Sequence, residues 1–101
     1  MSNAARATAT VQVDNERVRV TEWRFAPGAE TGEHIHAFDY TVVPLTTGRL
    51  QIVSPGGERQ FAELKEGIAY FRKAGVHHNV INANAFEFVF VEVELKEAAR
   101  S

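Results

Sequence analysis

Apolar and polar positions alternate with a period of two along most of the chain, and glycine, proline or asparagine breaks the alternation at short intervals. Period two is the mark of strands with one covered face, because successive Cβ atoms point to opposite sides. Val11-Gln12-Val13 is a first short strand, ended by the turn signal Asp14-Asn15. Arg17 to Phe25 alternates next but changes parity, with Val18 and Val20 on one side and Trp23 and Phe25 on the other. Such a switch predicts a β-bulge, or a strand buried on both faces. Pro27-Gly28 closes that run, and Glu33 to His36, Tyr40 to Leu45 and Arg49 to Val53 follow as strands. Pro55-Gly56-Gly57-Glu58 is a hairpin loop of strong turn chemistry. Gln60 to Leu64, Gly67 to Phe71 and Val76 to Asn82 come after it. Phe86 to Leu95 reads as the longest strand, with Val89, Val91, Val93 and Leu95 on one face. Glu92 and Glu94 lie opposite, so its far end is expected to meet solvent. Residues 1–10 read as a flexible N-terminus or a strand exchanged with a partner, and residues 96–101 as a charged tail that frays or forms a helical turn.

About nine short strands at roughly 8–12-residue spacing, with no competing helical period, predict an all-β sandwich or barrel. A chain of 101 residues is one domain with one core. Its 45% hydrophobic and 24% charged content are ordinary for a globular protein. Net charge is -2, which leaves no basic footprint for nucleic acid. The apolar runs fall well short of the ~20 residues of a spanning helix, and residues 1–10 lack the apolar stretch of a secretory leader. The expectation is a cytoplasmic protein without membrane or nucleic-acid partners. Apolar residues on both parities at Trp23/Phe25 and Phe88/Val89/Phe90 exceed what one small core needs. A second copy of the chain is the simplest cover, so a homodimer is expected.

The chemistry lies in the histidines. His34 and His36 are two apart in a strand-like stretch, so their rings project from one face about 6.6 Å apart at the backbone. His78 supplies a third imidazole on a later strand. Imidazole is the commonest protein metal ligand. The chain has no cysteine, so any ion is held by nitrogen and oxygen. His77 neighbours His78 and therefore points to the other face.

Around these histidines the residues fall into two spaced motifs, Gly28-x5-His34-x-His36 with Gly48, and Gly67, Gly75-x2-His78-x3-Asn82. In this the chain resembles the cupins, with motifs G-x5-H-x-H-x(3,4)-E-x6-G and G-x5-P-x-G-x2-H-x3-N. The resemblance spans about half the chain through eight matched positions. It implies a single-domain jelly-roll β-barrel, one divalent metal per chain in the barrel mouth held by His34, His36 and His78, and frequent dimerisation. Iron, zinc, nickel, manganese and copper are not distinguishable from the ligands alone.

Two positions depart from the family. Counted back from Gly48, the family's glutamate ligand falls at Thr41, a neutral and poor ligand, and Lys73 stands at the proline. Asp39 is the nearest acidic group and the candidate fourth ligand; Tyr40 and Asp39 are the candidates for handling a proton. Three neutral histidines leave a bound divalent ion with its full charge and open positions, which favours a small anionic ligand or substrate. Within the cupins, three-histidine sites resemble those of iron-dependent dioxygenases. The stretch His36-Ala-Phe-Asp-Tyr-Thr-Val-Val-Pro also resembles small cupins linked to β-alanine breakdown.

Function then divides between a metalloenzyme of dioxygenase or Lewis-acid type and a non-catalytic module that senses or stores a small ligand around a structural metal. The plainer readings are structural. Phe38, Tyr40, Tyr70 and Phe71 read as core before pocket, Asn82 as a turn residue, Glu30 and Glu33 as exposed carboxylates, and Arg24, Arg49 and Arg72 as solvated side chains.

Overall fold

The computed structural model describes residues 5–96. Nine strands follow one another: β1 (Thr8–Asp14), β2 (Val18–Phe25), β3 (His34–Ile35), β4 (Asp39–Pro44), β5 (Gly48–Val53), β6 (Arg59–Leu64), β7 (Tyr70–Arg72), β8 (His77–Asn82) and β9 (Phe88–Leu95). They form two antiparallel sheets, β1-β2-β9-β4-β7 and β3-β8-β5-β6, packed face to face in the all-β architecture the alternation predicts and the jelly roll the family resemblance implies. Among the described residues no helix is long and apolar enough to cross a membrane.

The core fills the space between the sheets. Phe25, Phe88 and Leu50 are almost fully buried, with Tyr40, Val42, Leu64, Val80 and Phe90 around them. Phe25 and Phe90 pack with ring centroids 5.4 Å apart. Burying each such side chain contributes roughly 1.5–3 kcal/mol.

The parity switch in β2 is not a bulge: Thr21 and Phe25 are buried on the inner face, while Val18 and Val20 are half-buried on the outer one. This strand pairs with β9 without a slip from Val18↔Leu95 to Phe25↔Phe88. The irregularity sits instead in β1, between Val11 and Val13. β1 itself, a seven-residue edge strand, is exposed along its whole length. Residues 8–10 belong to it and pair with β2 of the same chain. The expectations for residues 1–4 and 97–101 lie outside the described residues.

One expectation for β9 is overturned. Glu92 and Glu94 do not meet solvent; they are 8% and 7% exposed and face inward with Phe88 and Phe90. Val91, Val93 and Leu95 occupy the outer face. The two large aromatics set the inward parity, because they displace more water on burial than the valines, and the acids further along must follow it.

Turn chemistry holds the ends of the strands. Gly75 has φ 100°, in the left-handed region that side chains avoid, and its N–H bonds to the carbonyl of His36 at 2.8 Å. Gly48 is required for another reason: a Cβ there would come within 2.8 Å of the Asn84 side chain. Asn82 is buried and donates Nδ2–H to the carbonyls of Phe25, Ala26 and Phe86, while its Oδ1 accepts from Asn84. It is the turn residue expected, tying its own turn to the end of β2.

Candidate metal centre

β3 ends after His34-Ile35, yet His36 keeps its strand-like orientation. Its N–H bonds to the carbonyl of Val76, and its carbonyl accepts from Gly75. β8 runs alongside with His34 paired to His78. Directly opposed residues share a face, so three rings enter the space between the sheets from two neighbouring segments. His77 pairs with Ile35 on the outer face, and its Nε2 lies 2.6 Å from the Glu33 carboxylate.

The three Nε2 atoms converge. Those of His34 and His36 are 3.0 Å apart, and those of His36 and His78 3.2 Å. Ligands of one ion at metal–nitrogen distances of about 2.1 Å stand roughly 3.0–3.4 Å apart in octahedral or tetrahedral geometry, so the three residues fit a single ion. His34 Nδ1 donates to the Gly32 carbonyl at 2.8 Å, which leaves Nε2 as the free ligand atom. Burial, reinforced by neighbouring imidazoles, lowers the pKa of His36 and of His78 to about 4. Both rings are therefore neutral near pH 7, the state that ligates metal. His34, His36 and His78 thus form a group that can hold a metal ion.

Tyr40 stacks on His36 and lines the cavity in front of the histidines. Burial raises its pKa, so the phenol stays protonated. Tyr40, not Thr41, is the β4 residue that faces the histidines; Thr41 points outward with Asp39. The expectation of Asp39 as fourth ligand does not fit its position: it is exposed, and Oδ1 accepts the Ala74 N–H at 2.8 Å. The remaining charged candidates do not line the cavity. Glu30 accepts from Asn79, Arg24 pairs with Glu22 and Glu87, and Arg49 with Glu63. Arg72 lies over the Tyr70 ring. Tyr70 lines the cavity; Phe71 is exposed.

The cavity holds about 390 Å³ and contains residues that local sequence reasoning missed. Glu94 is bound two-fold by Arg19, at 2.7 and 3.2 Å. Glu92 has no such partner. Its carboxylate approaches His36 Nε2 at 3.9 Å, beyond hydrogen-bond range. Burial, helped by the charge of Glu94, raises its pKa to about 7. The neighbouring Trp23 indole counters that rise, yet its buried Nε1–H makes no well-formed hydrogen bond among the described residues. The signal was present in the parity Phe88, Phe90, Glu92, Glu94. It becomes visible once aromatics are given precedence over valines for the inner face.

A two-sheet jelly roll with three convergent histidines inside is the architecture of a cupin. No family model matches the chain. It is 65% identical over 96 residues to the β-alanine degradation protein BauB of Pseudomonas aeruginosa, covering 95% of this chain and 100% of that one. A cupin domain from Bordetella pertussis superposes with a TM-score of 0.91 at 54% identity, over 96% of this chain and 100% of the other. A double-stranded β-helix protein of Klebsiella pneumoniae superposes with a TM-score of 0.74 at 25% identity, over 99% and 84%. The chain belongs to the cupins, in the family that includes BauB.

Proposed function

We propose that this chain is a metal-binding cupin that acts on a small anionic metabolite, with His34, His36 and His78 holding one divalent ion. The observation that carries this reading is the approach of three Nε2 atoms to 3.0 and 3.2 Å. Iron, zinc, nickel, manganese and copper all suit nitrogen and oxygen donors. When bound, such an ion supplies positive charge and open positions for an anionic oxygen, as a Lewis acid or an oxygen activator. The chain's own residues exclude water with Leu50, Val80 and Phe90, orient His36 through Tyr40, and keep a carboxylate, Glu92, within the cavity. That the relative BauB is described as a β-alanine degradation protein supports a short carboxylic acid as the metabolite class. The second reading, a non-catalytic ligand-binding module, is favoured by one observation: Asp39, a candidate for proton handling, faces away from the cavity.

A homodimer in the cytoplasm belongs to the same proposal. On the outer face of the five-stranded sheet, Val13, Val20, Val93, Thr41 and Phe71 stand in register as one row across all five strands. A second copy of the chain covers this row.

Metal analysis tests the centre. Wild-type protein is expected to take up one equivalent of divalent ion, and His34→Ala and His78→Ala much less. Unchanged uptake in both variants would end the three-histidine reading. Oxygen consumption by the iron-loaded protein, screened with small carboxylates, diketones and thiols, separates enzyme from binding module; no turnover with any metal favours the latter.

A further inference from the structure

Strand pairing breaks just ahead of His34. Glu30 bridges to Ile81 and His34 pairs with His78, so three residues, Thr31 to Glu33, lie opposite two, Asn79 and Val80. The extra residue makes this stretch a β-bulge, a feature that re-aims the groups beside it. Gly32 takes the turn with φ 89°. A Cβ there would collide with the Arg6 guanidinium, which donates to the Thr31 carbonyl at 3.2 Å.

Side chains replace the interrupted ladder. Thr31 N–H still donates to the Val80 carbonyl at 2.9 Å, but Val80 N–H returns to the Thr31 hydroxyl, at 3.2 Å, in place of a backbone carbonyl. Gly32 N–H donates to Asn79 Oδ1 at 2.9 Å. Asn79 Nδ2–H donates in turn to Glu30 Oε1 at 3.1 Å, and this fixes which end of the amide faces Gly32. The Gly32 carbonyl, freed from the ladder, accepts His34 Nδ1–H at 2.8 Å. A carbonyl can only accept, so the bond demands the proton on Nδ1 and leaves Nε2 bare toward His36. The Thr31 hydroxyl stands 3.3 Å from the same Nδ1 and would demand the opposite tautomer by donating to it. Its single proton has a nearer acceptor in the Gly32 carbonyl, at 2.9 Å.

We propose that Asn79 is a positioning residue of the metal centre: it holds the bulge whose carbonyl sets the tautomer and direction of His34. A ring protonated on Nε2 cannot ligate through that atom, so the bulge keeps this ligand ready before an ion arrives. Glu30 supports the same arrangement by orienting the Asn79 amide. This inference rests on the proposed metal centre and adds what presets one of its three ligands.

The test reads the ring nitrogens of His34 directly, by nitrogen-15 NMR of the metal-free full chain at pH 8, where neutral imidazole dominates. Wild type is expected to carry the proton on Nδ1. Asn79→Ala is expected to show a mixture of the two tautomers at His34 and to lose about 10-fold in zinc affinity, measured by chelator competition. Asn79→Asp combined with Glu30→Gln moves the charge across the pair and keeps an oxygen facing Gly32 N–H, so it should restore both readouts. A purely structural role for Asn79 would lower stability and leave the tautomer as in wild type. If Asn79→Ala fails to fold, Asn79→Thr, a strand former too short to reach Gly32 N–H, must show the same mixture. A wild-type His34 protonated on Nε2, or an Asn79 variant with the wild-type tautomer or undiminished zinc affinity, overturns the inference while the metal centre stands. Failure of the wild type to take up zinc overturns both.

Discussion

The ring of Tyr40 lies 3.8 Å from that of His36, with planes 17° from parallel. Tyr40 comes from β4 and His36 from the segment after β3, so this stack ties the second histidine to the opposite sheet. It also assigns Tyr40 a positioning role through ring packing. Tyr40→Phe is expected to keep metal affinity within about 3-fold, whereas Tyr40→Ala should lower it about 10-fold or more, the range of losses seen when supporting groups are removed. Competition with a chromophoric chelator measures both. An equal loss in the two variants would show that the hydroxyl matters and that stacking does not.

Outward-facing acids should not matter to the ion. Asp39→Asn and Thr41→Glu are both expected to leave metal affinity unchanged, because β4 turns these positions away from the histidines. Tighter binding by Thr41→Glu in the same chelator assay would mean that β4 can rotate its register, contrary to its pairing with β9.

His36 and His78 make the metal-free protein acid-sensitive. Their folded-state pKa values near 4 lie below the ordinary 6.5, so the unfolded chain binds protons that the folded one refuses. Their contribution is intact above pH 6.5 and is lost as pH falls toward 4, a change on the order of a few kcal/mol together. Urea denaturation of the metal-free protein at pH 7.5 and 5 should show a falling midpoint. The drop should be smaller in His78→Gln.

Glu92 has the opposite sign. With its folded pKa raised to about 7 from 4.5, the proton it holds stabilises the fold at low pH, and that contribution disappears as pH rises through 7. Metal-free Glu92→Gln is therefore expected to be more stable than wild type at pH 8, by on the order of 2 kcal/mol, and nearly equal to it at pH 5. Paired melting curves at the two pH values decide this; a variant less stable at pH 8 would mean that the empty cavity tolerates the charge.

Asn82 serves the scaffold. Its amide satisfies three carbonyls and accepts from Asn84 in a site only 2% exposed. Asn82→Ala leaves those groups unpaired and should cost about 2–4 kcal/mol, seen as a fall of roughly 10–20 °C in Tm. Metal stoichiometry in whatever fraction remains folded should stay at the wild-type value.

The outer row of the five-stranded sheet provides the last test. Val93→Glu places a charge at the centre of Val13, Val20, Val93, Thr41 and Phe71. Sedimentation at micromolar concentration should show a wild-type dimer and a monomeric variant; a wild-type monomer removes the dimer from the proposal.

The sequence alone determined the strands, their turns and two imidazoles on one surface, because these depend on local rules: period two, glycine at positive φ, and two histidines spaced to share a face; His78 joins them only through the pairing of β3 with β8. Gly75 and the His34/His36 pair were readable without knowing any partner strand. Which face of β9 and β4 turned inward was not local. Val91/Val93 and Glu92/Glu94 offer equally regular alternations, and only packing Phe88 and Phe90 between the sheets chose between them, carrying two acids into the cavity. The same choice on β4 put Tyr40 against His36 and turned Asp39 and Thr41 outward. Hydrophobic burial summed over a whole strand outweighs the desolvation of one or two carboxylates, and that sum exists only when the two sheets come together.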